Sequence, residues 1–295
     1  MRLGEKIKLI AIVGTDRSGS TLLDKIISSN SGVFSVGEIH RFFNYYQNNY
    51  PCTCGVPFYD CEFWKAVLMR LDKDEFNPRL IAILGWRKRI RILLMHMFGG
   101  ETGLLKKYES YGKSYAHLLA AIKDVSGAEY LVDSCKDMSR LTLLHLSGFF
   151  NIIPIYITRP MEDYIVSVRR PQMRLNPYRK SGPVRAALRW TFRNLETRYL
   201  IRSYYSDHVQ ISYKSLVEST ERVIGAIAER TGISLQYDPV RIKEKKYHFL
   251  GGNYMKFKKF LGVEPDKKDT SDVLDAIWYR PIVNVLNQFF VRDNI

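Results

Sequence analysis

The sequence predicts an α/β fold in which a parallel sheet is flanked by helices on both faces, and three observations lead there. Short apolar runs alternate with longer stretches of helical periodicity along most of the 295 residues. The runs are almost uniformly apolar, as expected of strands buried on both faces. Charged residues suited to chemistry fall just after several of them, where ligands collect in open parallel sheets.

The first strand is read near Lys8–Val13 and ends at Gly14. A helix follows over Ser20–Asn30, opening at Ser20-Thr21, and a second strand lies near Val33–Val36. The alternation then stops from Tyr45 to Ser126, which predicts a helical insertion of about residues 45–126 within a single domain spanning 1–295. Its helical patterns cover Phe63–Leu71, Arg79–Phe98 and Ser114–Lys123. In the second of these, Leu80, Ile83, Leu84, Ile90, Leu94 and Met97 fall at helical spacing beside Arg87, Lys88, Arg89 and Arg91. Such a helix faces the core and leaves a basic outer face, open to solvent, to an acidic acceptor or to lipid headgroups. Strands resume near Glu129–Val132, Ile152–Ile157 and His208–Ile211, with helices over Arg140–Ser147, Met161–Arg169, Val184–Tyr205 and Leu216–Arg230. Val273, Ile277, Ile282, Val285, Leu286 and Phe289 read as the core-facing positions of a closing helix, interrupted near Pro281.

Composition narrows the class. An apolar share of 46% belongs to a folded globular chain. With 45 basic and 30 acidic residues, the net charge of +15 attracts polyanions: a phosphorylated nucleotide, an acidic glycan, a membrane surface or nucleic acid. No zinc-finger spacing, ribonucleoprotein motif or recognition helix accompanies the charge, so no nucleic-acid partner is expected. Charges interrupt every apolar stretch well short of the ~18 residues of a membrane span. The N-terminus passes directly into the first strand and leaves no room for a signal peptide. The expectation is a cytoplasmic enzyme, unless an anchor precedes the given sequence, with peripheral membrane contact also left open.

The segment Leu9 to Leu23, L-I-A-I-V-G-T-D-R-S-G-S-T-L-L, joins strand to helix through a turn holding Gly14 and Gly19. Backbone N–H groups and a positive helix end then face one small volume suited to a phosphate, and Arg17 adds a forked cation. The loop is P-loop-like, yet Arg17-Ser18-Gly19-Ser20-Thr21 stands where G-K-[ST] would serve a triphosphate and magnesium, so no metal is expected to be required. Farther on, Thr158-Arg159-Pro160 follows the strand Asn151–Ile157, with Ser167 eight residues beyond Arg159. An arginine at a strand end and a hydroxyl on the next helix suit a second phosphate.

These segments resemble sulfotransferases that use 3′-phosphoadenosine 5′-phosphosulfate (PAPS), in the branch of bacterial and tyrosylprotein enzymes. Gly14 to Leu23 resembles their 5′-phosphosulfate loop, and Thr158-Arg159-Pro160 with Ser167 their 3′-phosphate site. Val36-Gly37-Glu38-Ile39-His40-Arg41 resembles the Gly-Glu segment that supplies the base, and Val132 to Asp137 the lysine-bearing loop with Lys136. Ile211 to Val217 resembles a Y-[ED]-x-L-V block, with Lys214 in place of the acidic residue, and His248 to Asn253 a C-terminal segment of bacterial members.

The resemblance implies roles. Arg17 and residues Ser18, Gly19, Ser20 and Thr21 would hold the 5′-phosphate, and Arg159 with Ser167 the 3′-phosphate. Tyr213, Gly252, Asn253 and Lys256 would complete the nucleotide site. The run Arg169, Arg170, Arg174, Arg179, Lys180 and Arg185 would close over the 3′-phosphate or acceptor, or remain plain surface. Lys136 would reach the oxygen bridging phosphorus and sulfur; otherwise it is a surface lysine paired with Asp137. Glu38 would draw the proton from an acceptor hydroxyl, with His40 as the competing base and Arg41 beside them. The acceptor would be a hydroxyl of a carbohydrate, lipid, small molecule or tyrosine, built against Phe42 to Met97. Two other readings stay open: an ATP-dependent kinase with a degenerate loop, using Asp133 for magnesium, and a basic nucleic-acid-binding protein.

Cys52, Cys54 and Cys61 give C-x-C-x₆-C, with Cys135 left over. Three clustered cysteines suit a zinc ion with a fourth ligand, a disulfide, or reduced packed thiols. A similar Cys-x-Cys-Gly…Cys-x-Phe-Trp segment in bacterial members favours a structural clasp over a catalytic role.

Overall fold

A computed structural model describes residues 5–72, 74–169, 182–251, 262–263 and 280–295. The apolar runs form a wholly parallel five-stranded sheet: β1 Ile7–Gly14, β2 Val33–Gly37, β3 Tyr130–Asp133, β4 Phe150–Thr158 and β5 Val209–Ser212. The order is β2-β3-β1-β4-β5. The central β1 pairs with β4 from Ile7–Phe150 to Gly14–Ile157, and with β3 from Lys8–Tyr130 to Ala11–Asp133. Each strand stands within about two residues of its sequence-based position.

Alternate side chains of β1 feed two cores, because a strand turns successive residues to opposite faces. Leu9, Ala11 and Val13 pack with α5 (Glu101–Ser126), α6 (Met138–Leu146) and part of α8 (Pro183–Tyr204). Ile10 and Ile12 pack against α1 (Ser20–Ser28) and α10 (Thr220–Thr231). The segment between β2 and β3 also carries α2 (Phe42–Asn48), α3 (Glu62–Arg70) and α4 (Trp86–Met97). The remaining helices are α7 (Met161–Arg169), α9 (Tyr213–Glu218), α11 (Pro239–Glu244) and α12 (Arg280–Phe290). No helix among the described residues is long and apolar enough to cross a membrane.

Several helices differ from their sequence-based limits. The pattern over Arg79–Phe98 spans Gly85, whose extended backbone separates a short 3₁₀ turn at Pro78–Leu80 from α4. In α4 the buried side chain is Ile92, while Leu94 and Met97 lie exposed. The helix at Ser114–Lys123 begins earlier, at Glu101, and bends at Tyr108. Leu216–Arg230 is two helices parted at Ser219. Pro281 is the second described residue of α12. Val283 and Phe290 are the buried positions there, while Ile282 and Val285 face solvent. Val273, Ile277, Arg170, Arg174, Arg179 and Lys180 lie outside the described residues, as does the side chain of Arg169.

Within Phe42 to Met97, Phe42 packs edge-on against Phe58 and Phe76 and tilted against Trp64, all four buried.

Candidate active site

Because all strands run one way, the residues after Gly14, Gly37, Asp133, Thr158 and Ser212 converge on the carboxyl edge of the sheet. The loop after β1 holds Arg17 in a left-handed conformation, φ 67°. Its Nε donates to Ser167 Oγ at 3.1 Å, and an Arg159 N–H donates to the Arg17 carbonyl at 2.8 Å. The Arg159 guanidinium lies over the Tyr213 ring, 4.1 Å from its centre. That ring closes on Gly19, where a Cβ would come within 2.3 Å of it and where φ is 97°, so only glycine fits. Arg17, Gly19, Arg159, Ser167 and Tyr213 therefore meet, although they come from four separate segments.

The same corner suits an anion. Ser20 is buried and Thr21 partly so at the start of α1, and no side chain caps that helix. The buried hydroxyls of Thr15 and Ser18 have no hydrogen-bond partner among the described residues. Unpaired buried donors, a positive helix end and fixed arginines together match a phosphate. Trp190 secures the Arg159 carbonyl at 3.0 Å, and Arg189 pairs with Asp16.

A second cluster forms after β2 and β3. Glu38 is buried, and its two oxygens accept from Lys136 Nζ at 2.5 Å and Arg41 Nε at 2.6 Å. Lys136 thus pairs with Glu38 and not Asp137, which instead caps α6 and binds Arg89. Lys136 too is left-handed, φ 60°. Its N–H reaches the Ile12 carbonyl at 3.2 Å, and its own carbonyl accepts from Arg193 at 2.9 Å. The Glu38 N–H donates to Leu250 at 2.8 Å. Gly251 comes next; a Cβ there would sit 2.6 Å from the Glu38 Cβ, so the chain crosses directly over the acid. Gly252, Asn253 and Lys256 fall outside the described residues.

The electrostatics follow from these contacts. Burial alone would raise the Glu38 carboxyl, but Lys136 first, then Arg41, hold it well below the ordinary carboxylate range. Burial acts to lower Lys136, and Glu38 outweighs it. The buried His40 imidazole is pushed down to about 3, chiefly by desolvation, so it is neutral at pH 7. Asp24 on α1 is pushed up to about 6 by burial, although Ser134 donates to it at 2.7 Å. Asp133, the magnesium ligand of the kinase alternative, is committed elsewhere: one oxygen binds Arg140 and the other accepts the Cys135 N–H at 2.9 Å.

Sequence reasoning missed Arg193, Tyr45 and Asp24. Tyr45 supports Gly251 through its hydroxyl at 3.1 Å. Asp24 did carry a signal, a carboxylate among the apolar positions Leu23, Ile26 and Ile27. A separate cleft of about 400 Å³ lies at the opposite edge, lined by Asn30, Gly32, Val33, Arg241 and Lys245. Lys245 there is bonded to the Val33 carbonyl at 3.1 Å, and none of the site residues above reaches it.

Two solved structures share this architecture over almost their whole length. The sulfotransferase domain from the curacin biosynthetic pathway is 18% identical, with a TM-score of 0.53 over 98% of this chain and 99% of that one. The sulfotransferase domain from the Synechococcus PCC 7002 olefin synthase is 16% identical, with a TM-score of 0.51 over 99% and 97%. The chain has the sulfotransferase fold. No protein-family model matches the sequence, and a comparison with curated proteins finds no relative. At these identities the likeness covers strands and layers.

Proposed function

We propose that the protein is a sulfotransferase that takes its sulfuryl group from PAPS and passes it to an acceptor hydroxyl. The observation that carries this reading is the buried Glu38–Lys136 pair, with the partly exposed Arg41 on the second Glu38 oxygen, at the same sheet edge as the Arg17–Ser167–Arg159 cluster. Arg17 with Ser18, Gly19, Ser20 and Thr21 would hold the 5′-phosphate, and Arg159, Ser167 and Tyr213 the 3′-phosphate side. Bound PAPS supplies a sulfuryl group already activated as a phosphosulfate anhydride.

The protein's own tasks are alignment, charge stabilisation and one proton transfer. Glu38 accepts the acceptor's proton, and neutral His40 lines the same loop. With donor bound, Lys136 neutralises the charge growing on the leaving phosphate. Its attention to Glu38 then weakens, and the carboxylate becomes more basic when a base is needed. No metal is required for any of these tasks.

Thermal stability with the stable product 3′-phosphoadenosine 5′-phosphate tests the reading. At 100 times its dissociation constant the ligand adds about 2.7 kcal/mol to stability. We expect that rise in wild type, little with AMP or ATP, and loss of the rise in Arg159→Ala. Stabilisation by magnesium-ATP alone would overturn it in favour of phosphoryl transfer.

A further inference from the structure

We propose that Cys52, Cys54, Cys61 and His248 form a structural zinc site, separate from the transfer chemistry. One ligand atom from each residue lies within 4.8 Å of all the others. The Cys54 and Cys61 sulfurs are 3.6 Å apart, and His248 Nδ1 lies 3.2 Å from the Cys61 sulfur and 3.9 Å from that of Cys52. A tetrahedron with Zn–S of about 2.3 Å and Zn–N of about 2.0 Å has edges of roughly 3.5–3.8 Å. A disulfide needs about 2.05 Å, and all four cysteines of the chain are free thiols here.

The surroundings hold the ligands in place, as outer contacts of metal ligands do. Gly55 closes a tight turn onto the Cys52 carbonyl at 2.9 Å, and the Cys52 N–H reaches the Val56 carbonyl at 2.9 Å. Phe63 stacks on the His248 ring at 5.3 Å between centres, and the Trp64 indole donates to the His248 carbonyl at 2.8 Å. Thr53, between two of the cysteines, donates to the Tyr247 carbonyl at 2.7 Å. Three sulfurs and one imidazole suit zinc, and four protein ligands leave no open position, so the metal's role is to hold structure.

What it holds is the segment over the acid. His248 stands two residues before Leu250, whose carbonyl receives the Glu38 N–H, and three before Gly251, which packs on the Glu38 side chain. The metal would fasten this distant stretch to the loop at Cys52–Cys61 and so fix the backbone of Glu38.

Metal content of the full chain, purified under reducing conditions from zinc-supplied cells, tests the site without any measurement of transfer. We expect one zinc per chain, lost in Cys61→Ser and His248→Ala and kept in His248→Cys, which restores a four-ligand set. Cobalt exchanged into wild type should give thiolate-to-cobalt charge transfer and the visible bands of a tetrahedral ion. That spectrum decides the matter even if a cysteine variant fails to fold. Two outcomes overturn the proposal: wild type that neither contains zinc nor takes it up after chelation, or a disulfide between any two of these cysteines.

Discussion

Glu38 is surrounded by opposing demands. It must be ionised to take a proton, and the cations that keep it ionised also weaken it as a base. Its folded pKa lies below its unfolded value, so its pairing stabilises the fold at neutral pH, and that contribution is lost as pH falls. Glu38→Gln keeps the shape and an acceptor oxygen but cannot accept the proton. We expect kcat to fall by about 10²- to 10⁴-fold on the folded enzyme while the bisphosphate thermal shift persists. The variant also leaves two cations less well matched, which can cost several kcal/mol of stability, so kcat is read below its own melting point. Turnover within tenfold of wild type would remove Glu38 from the role and direct attention to His40.

At the scale of elements, α1 is joined to the β3–α6 loop through Asp24 and Ser134. Asp24 is fully buried and its pKa is raised to about 6, against an ordinary value of 3.8. Between those values the folded state keeps a proton that the unfolded chain releases, so this residue's effect on stability worsens as pH rises from about 4 to about 6. Asp24→Asn removes the dependence. Compared by urea unfolding at pH 4 and pH 7, the variant should gain up to about 3 kcal/mol on wild type between the two. An unchanged difference would mean that Asp24 ionises without penalty. The five strands were legible because runs such as Leu9–Val13 are apolar throughout and several end in glycine or charge. Helix limits were not, since periodicity continues numerically across Gly85 and Ser219 where the backbone does not. Arg17, Glu38, Lys136 and Arg159 were legible because each follows a strand within three residues. Arg193 and His248 were not, because they reach Lys136 and Cys61 from 57 and 187 residues away and no local pattern marks such contacts.

For the whole molecule, a net charge of +15 surrounds a site proposed to receive a polyanionic donor. Its KM for the donor should rise by about tenfold between roughly 0.01 M and 0.15 M ionic strength, as screening shortens from about 30 Å to 8 Å. Steady-state kinetics across that range checks this, and a flat KM would leave capture to the local arginines alone. The order of the sheet also shapes the life of the chain before it is a protein. Ile7 has to pair with Phe150, so the central strand leaves the ribosome long before either neighbour is made. At about 5–20 residues per second, the delay is roughly six to thirty seconds. Throughout it, one of the most apolar segments of the chain has no sheet to join. Until residues 130–158 have been made, that segment is an unpaired apolar strand of the kind that invites association with other chains.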